Sequence, residues 1–350
     1  MPESRQRFLV IRLSSIGDIV HTLPAVAALG RAHPQAEIHW AVEERFSDLL
    51  SGNPYVSRVI KLDTLGWRKT PTAGGTMAEI MQGFEALREY PYDAAIDFQG
   101  LMKSAIFTWL SHSKKRIGLA WGSLREPLAS LLYTQRVSPK HCKHIIEINL
   151  SLVDPLGAQS SNWEFPLPDL PQDRDAVGAE LERLGTKEFI IVNFGGGWKS
   201  KRWAPENYAE LMASLAGQVP FDILVTGSPQ EEGVARDIIA GANTARAKWC
   251  PSTLLQFIAL ARQAKLLIGG DTGPLHLAAA VGTPIVAIFN AAEPRNTPER
   301  NGPFNPEDIV LCGPRQAKQT THSKHLNFLE GVNVESVVNA ALQRLGTAHG

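Results

Sequence analysis

Three stretches of the chain bring together residue types suited to handling a phosphorylated substrate. The run Gly270-Asp271-Thr272-Gly273-Pro274-Leu275-His276 follows an apolar stretch and opens a small-residue helical pattern, LHLAAAVG. Backbone N–H groups at a helix start, together with the helix dipole, make an anion site. Gly273 lets a phosphate approach the backbone, Thr272 adds a hydroxyl donor, and Pro274 suits a first helical turn. A plain strand-to-helix turn capped by Asp271 or Thr272 fits the same residues. The second stretch, Gly195-Gly196-Gly197-Trp198-Lys199-Ser200-Lys201-Arg202-Trp203, combines three glycines with three cations. Such a loop suits a diphosphate whose charge grows as it leaves; a solvated basic loop is the alternative. Its spacing fails GxxxxGK[ST], which disfavours a P-loop ATPase.

The third stretch is Ser14-Ser15-Ile16-Gly17-Asp18-Ile19-Val20-His21-Thr22. Asp18 would stand at the first strand-to-helix turn, as a general base toward an acceptor hydroxyl or only as a helix cap. His21, one turn on, either supports Asp18 or packs. Two lesser segments, DFQGLMKS at 97–104 with Gln99 and Lys103, and WGSLRE at 121–126 with Arg125, either line an acceptor cleft or are ordinary loops with a salt bridge of little worth.

Positioning these residues calls for an alternating framework. Apolar runs at 8–13, 37–42, 59–62 and 94–97 read as buried strands, with a helix from about 19 to 32. A Pro-rich stretch at 165–171 (FPLPDLP) reads as a linker, which divides the chain into 1–165 and 166–350. The pattern then restarts with strands at 188–193, 221–226, 266–269 and 284–289. Strand-helix alternation predicts parallel sheets with crossover helices, hence two Rossmann-like, doubly wound α/β domains with ligands at strand C-terminal ends. Residues 63–76 (DTLGWRKTPTAGGT) read as a long mobile loop of the functional kind. The last helix, about 334–345, has no partner assigned by sequence, and packing back on the leading domain is the expectation.

Composition narrows the function classes. The chain has 350 residues, enough for two α/β domains of about 150 residues each. Lys plus Arg and Asp plus Glu number 35 each, so no global field draws the chain to nucleic acid. Cys142, Cys250 and Cys312 are widely spaced with no CxxC pair, which indicates neither a disulfide framework nor a zinc site and fits a reducing cytosol. No targeting segment or bilayer-spanning run is read, so a cytoplasmic protein is expected, able to work at a membrane surface.

Taken together, SSIGDIVHTLP, YDAAIDFQGLMKSA, REPLAS, KRWAPENY and GGDTGPLHLAAAVGTP resemble glycosyltransferase family 9, the bacterial lipopolysaccharide heptosyltransferases. Within it, Trp67-Arg68-Lys69 and the REPLAS run at 125–130 look most like the heptosyltransferase I branch. The resemblance implies a GT-B architecture: two Rossmann-like domains facing across a cleft, acceptor on the leading half and donor on the trailing half. It implies transfer of heptose from ADP-L-glycero-β-D-manno-heptose to the Kdo of lipid A-linked inner core, with inversion and with neither cofactor nor metal. Carried over by motif, Asp18 matches the catalytic base, and Lys201 the lysine at the donor diphosphate. Glu231, in Gly-Ser-Pro-Gln-Glu, matches the acid that holds the ribose hydroxyls. Asp271, Thr272, Gly273 and His276 match the diphosphate side, with Gly195, Gly196, Gly197 and Arg202 beside them. On the acceptor side stand Ser15, Gly17, Gln99 and Lys103, with Arg68 and Arg125 as cations facing the acidic, phosphorylated acceptor. One departure is visible: GGGWKS stands where the branch commonly offers Thr or Ser hydroxyls. A monomer lying peripherally on the cytoplasmic face of the inner membrane is implied, with Trp67, Arg68 and Trp109 as candidate membrane contacts. A GT-B enzyme for another activated sugar, a nucleotide-sugar epimerase and a non-catalytic nucleotide-binding or scaffolding protein are the alternatives.

Overall fold

The computed structural model describes residues 5–69, 74–195, 203–289, 297–313 and 331–346. The chain divides into two compact units, Met1–Pro168 and Asp169–Gly350. In the first, strands β1 (Arg7–Ile11), β2 (Glu37–Glu43), β3 (Arg58–Leu62), β4 (Ala94–Asp97), β5 (Lys115–Leu119) and β6 (Gln135–Val137) form one sheet in the order β3-β2-β1-β4-β5-β6. Every pairing in it is parallel. Helices α1 (Ile16–Ala32), α2 (Thr64–Lys69), α3 (Gly74–Arg88), α4 (Met102–Leu110) and α5 (Ile145–Ser151) flank it. The central strands are apolar throughout because helices cover a parallel sheet on both faces; Leu9, Val10, Ile11, Ala95 and Ile96 are fully buried.

The second unit repeats the plan. Strands β7 (Phe189–Asn193), β8 (Asp222–Thr226), β9 (Ala247–Trp249), β10 (Leu267–Gly270), β11 (Ile285–Phe289) and β12 (Ile309–Cys312) run in the order β12-β11-β10-β7-β8-β9, again all parallel. Its helices are α6 (Pro171–Arg183), α7 (Pro205–Ala216), α8 (Glu232–Ala242), α9 (Leu254–Ala261), α10 (Gly273–Ala280), α11 (Pro298–Asn301) and α12 (Val334–Arg344). Numbered from its own first strand, each sheet has the order 3-2-1-4-5-6, the doubly wound Rossmann order, whose direction of winding reverses between the first and fourth strands.

Three sequence expectations change. Residues 64–69 are helical rather than loop: the Asp63 carboxylate accepts the Gly66 N–H at 2.9 Å, Thr64 is buried, and Trp67 packs into the core edge-on to Phe107. Residues 70–73 lie outside the described residues, and α3 begins at Gly74. The last helix is part of the second unit's own core, where Val334, Val337, Val338, Ala341 and Leu342 join Tyr208, Met212 and Val286. Just ahead of α7, the buried Trp203 donates its indole N–H to the Val332 carbonyl at 3.0 Å, tying that segment to the approach of α12. Finally, α1 starts at Ile16 rather than near residue 19, with Ser15 as its cap. Among the described residues no helix is long and apolar enough to cross a membrane.

Candidate active site

In the first unit the reversal of winding falls between β1 and β4, and the residues after both strands meet there. Leu13, just past β1, donates its N–H to the Gln99 side-chain oxygen at 3.0 Å. Gln99 is held in turn by Asp97, the last residue of β4, whose Oδ1 accepts the Gln99 and Gly100 N–H groups at 2.8 and 3.0 Å. Gly100 has φ +67°, which a residue with a Cβ adopts at a cost. The other oxygen of Asp97 accepts the Ser104 and Tyr133 hydroxyls at 2.8 and 2.7 Å. Burial pushes the Asp97 carboxyl above its usual range against the pull of these four donors, and burial together with the Asp97 charge raises the Tyr133 phenol. Asp97 is therefore a buried tie that shapes the turn.

Asp18 lies in the first turn of α1. Its Oδ2 accepts the Ser15 N–H at 3.1 Å and the Ser15 hydroxyl at 2.9 Å, the capping arrangement that a carboxylate there commonly makes. Its Oδ1 is ion-paired with the guanidinium of Arg12, which donates from its other terminal nitrogen to the Phe98 carbonyl. The Arg12 side chain is 6% exposed and that of Asp18 is 41% exposed. A buried cation thus holds a carboxylate that still reaches solvent. Gly17 is buried beneath it, in the first turn of α1. His21 is buried, with its ring edge-on to His144 at 5.7 Å.

The remaining acceptor-side residues divide. The Lys103 ammonium lies 2.7 Å from the Thr64 hydroxyl and 3.4 Å from Glu43, and Thr64 also hydrogen-bonds the buried Glu43 carboxylate. Arg68 and Arg125 are exposed, on α2 and just before a 3-10 turn, respectively.

In the second unit the reversal falls between β7 and β10. Asn193 ends β7 beside Gly269 of β10, where a Cβ on Gly269 would stand 3.0 Å from the Asn193 carbonyl, so a larger residue would crowd the close strand approach. The Asn193 amide donates to the carbonyl and hydroxyl oxygens of Thr226, both at 3.2 Å, and its Oδ1 accepts the Thr272 hydroxyl at 3.5 Å. Thr272 stands at the N-cap position of α10 without a side-chain capping bond, and the first turn begins at Gly273. Behind it the buried Asp271 carboxylate lies 3.1 Å from the His276 imidazole Nε2, one turn along the helix.

Glu231 follows β8, the second strand of this sheet. In dinucleotide-binding Rossmann folds an acid beyond the second strand meets the ribose hydroxyls. The N–H and hydroxyl of Ser228 hold its Oε2 at 2.9 and 2.8 Å. A Cβ on Gly195 would lie 3.2 Å from Oε1, and one on Gly227 3.2 Å from both Oε2 and the Trp249 ring. Two glycines therefore bracket the carboxylate and leave the backbone bare beside it. Gly196, Gly197, Lys201 and Arg202 lie outside the described residues. Among the described residues no group of three or more His, Cys, Asp or Glu side chains is placed to hold a metal ion. Sequence reasoning missed Arg12 and Asn193; a cation inside the apolar run FLVIRL was the available signal, because a buried charge needs a partner.

The profile of glycosyltransferase family 9 (heptosyltransferase) matches residues 80–328. Lipopolysaccharide heptosyltransferase 1 of Escherichia coli strain K12 is 32% identical over 314 residues, 89% of this chain and 94% of that protein. Its namesake from Pseudomonas aeruginosa is 32% identical over 332 residues, 90% of this chain and 88% of the other. Among solved structures, the E. coli heptosyltransferase WaaC with ADP has a TM-score of 0.78 and 27% identity, covering 97% of this chain and all (100%) of its own. The same enzyme with ADP-2-deoxy-2-fluoro heptose gives a TM-score of 0.76, also at 27% identity, over 98% of this chain and 100% of its own. The two parallel-sheet units are those of the GT-B glycosyltransferases. The chain belongs to glycosyltransferase family 9, the heptosyltransferases.

Proposed function

We propose that the protein transfers heptose from ADP-L-glycero-β-D-manno-heptose to the Kdo of a lipid A-linked inner core, with the first unit taking the acceptor and the second the donor. The observation that carries this reading is Asp18, a carboxylate clamped by Arg12 and Ser15 at the winding reversal of the first sheet yet open to solvent. Support on the donor side comes from the Glu231 carboxylate between Gly195 and Gly227, at the ribose position of a Rossmann unit, and from the start of α10, whose N-cap Thr272 makes no side-chain capping bond. The ADP and ADP-heptose analogue bound by the similar E. coli enzyme favour adenine over other bases.

The reaction is a single displacement. Asp18 takes the proton of the acceptor hydroxyl as its oxygen attacks the anomeric carbon, and the bond from that carbon to the diphosphate oxygen breaks with inversion. Negative charge gathers on the departing ADP, where the amides at the Thr272–Gly273 helix start and the cations Lys201 and Arg202 offset it without a metal. The roles of Lys201, Arg202, Gly196 and Gly197 rest on their motif alone. Gln99, Lys103, Arg68 and Arg125 are assigned to the anionic acceptor, Asp271 and His276 to bracing the α10 start. The protein acts as a monomer at the cytoplasmic face of the inner membrane, where a lipid-linked acceptor is presented.

The test measures ADP release from ADP-heptose with and without a Kdo-lipid A acceptor. Release that requires the acceptor supports the transferase; release without it, or no turnover with either, sinks the reading.

A further inference from the structure

Exposed large apolar side chains are unevenly shared. Of the eight among the described residues, seven belong to the first unit and only Val234 to the second. Five of the seven sit within 26 residues: Ile106 and Trp109 on α4, Trp121 in the 3-10 turn Trp121–Ser123, and Leu128 and Leu131 in the 3-10 turn Pro127–Leu132.

These elements pack against one another, so the five form one surface. Ala105 of α4 packs with Leu124, Ala129 and Tyr133, and Met102 and Leu132 join the same cluster. Residues three apart eclipse in a 3-10 turn. Ala129 and Leu132 therefore face α4, while Leu128 and Leu131 present themselves together outward. On α4, Ile106 and Trp109 are three residues apart and so lie on one stripe. Exposures of 49% for Trp109 and 63% for Leu131 are large for residues of this kind.

Charge says what the surface meets. The chain as a whole is neutral, yet residues 98–137 carry six cations, Lys103, Lys114, Lys115, Arg116, Arg125 and Arg136, against one acid, Glu126; Lys103 is paired with Glu43, which leaves five cations against one acid. Arg116 and Arg136 donate to the Leu132 and Ser130 carbonyls, which sets both guanidinium groups at the end of the second 3-10 turn. Lys114, Arg125 and Arg136 are exposed, and the described residues offer none of them an ion pair. Apolar side chains including two tryptophans, rimmed by unpaired cations, match a bilayer surface with anionic headgroups: the apolar groups enter the acyl boundary and the cations meet phosphates.

We propose that this face of the first unit, built from α4 and the two 3-10 turns, docks the protein on an anionic phospholipid bilayer. It deepens the reading above and rests on it only in that a lipid-linked acceptor gives the docking its use; the binding itself is independent of catalysis. Trp67, a candidate for membrane contact on sequence, is excluded from the face because it packs inward.

Flotation of the full chain with vesicles of phosphatidylcholine containing about 30% phosphatidylglycerol, against phosphatidylcholine alone, tests it without donor or acceptor. The wild type is expected to float with the anionic vesicles at least about tenfold better than with the neutral ones, and to be released by salt. W109S/L131S and, separately, K114E/R136E are expected to lose at least about tenfold of that binding, while both keep wild-type turnover on a soluble, deacylated acceptor. Should W109S/L131S fail to fold, the exposed charge pair tests the same face alone. Wild type that ignores anionic vesicles overturns the proposal, as does undiminished binding by folded variants. A self-association abolished by W109S/L131S, with no vesicle binding, assigns the face to a second copy instead. Vesicle binding without any transfer activity would leave the docking face standing and defeat the catalytic reading.

Discussion

The two sheets share one strand order and one point of reversed winding, but they furnish that point differently. In the first unit a side chain from beyond the fourth strand, Gln99, reaches the backbone beyond the first; in the second, Thr272 reaches Asn193 in the same sense. The acid associated with the second strand also differs. Glu43 is buried and engaged by Thr64 and Lys103, whereas Glu231 is held on one oxygen by Ser228 and flanked by glycines. The first unit thus spends its equivalent acid on internal structure and offers Asp18 instead, backed by a buried guanidinium. The second keeps the Thr272 hydroxyl and the Glu231 carboxylate at its strand ends. On the function proposed above, one copy of the topology serves proton transfer and the other serves holding.

That contrast predicts a split between turnover and affinity. The largest effect should come from Asp18→Asn, which keeps the shape but removes the base: turnover should fall about 10³-fold while ADP affinity by calorimetry stays within about twofold. Ordinary turnover in D18N would erase the division of labour. Arg12→Met removes the clamp from behind; misplacing the carboxylate should cost on the order of 10²-fold in kcat with little change in ADP binding. A matching loss of nucleotide affinity would make Arg12 a general structural residue instead. Glu231→Gln should do the reverse, weakening ADP about tenfold, near 1.4 kcal/mol for a charge-assisted hydrogen bond, and sparing proton transfer in saturated enzyme. The smallest effect concerns the leaving group. Turnover after exhaustive chelation should remain within about twofold of its starting value if amides and cations do the work; a loss restored by magnesium would require an ion at the donor end.

Much of this arrangement is legible in the linear chain, because buried parallel strands are apolar throughout and the turns after them carry Gly and small polar residues. The eight central and flanking strands could be read that way. The strands at 115–119, 135–137, 247–249 and 309–312 could not: they are short, outer in the sheets or mixed in polarity, and so carry no clean periodic signal. The helix at 64–69 is masked by glycine, basic residues and a nearby proline, while the Asp63 hydrogen bond and the burial of Thr64 and Trp67 that organise it are tertiary facts. Asp18, Gln99, Glu231 and Thr272 are visible by motif. Arg12 is hidden inside a strand pattern, and Asn193 matters only because its amide bridges two strand ends. The apolar face near Trp109 is equally invisible, since no sequence pattern tells which leucines remain outside.

The bond from the Trp203 indole to the Val332 carbonyl links the far end of the glycine-rich segment to the last helix. Chain termini are usually expendable, but here the closing segment holds Trp203 and packs against α7 in the second unit's core. Clipping the chain ahead of Val332 would therefore remove the carbonyl that Trp203 bonds together with a row of buried core side chains, so the second unit is expected to lose its fold rather than a dispensable tail.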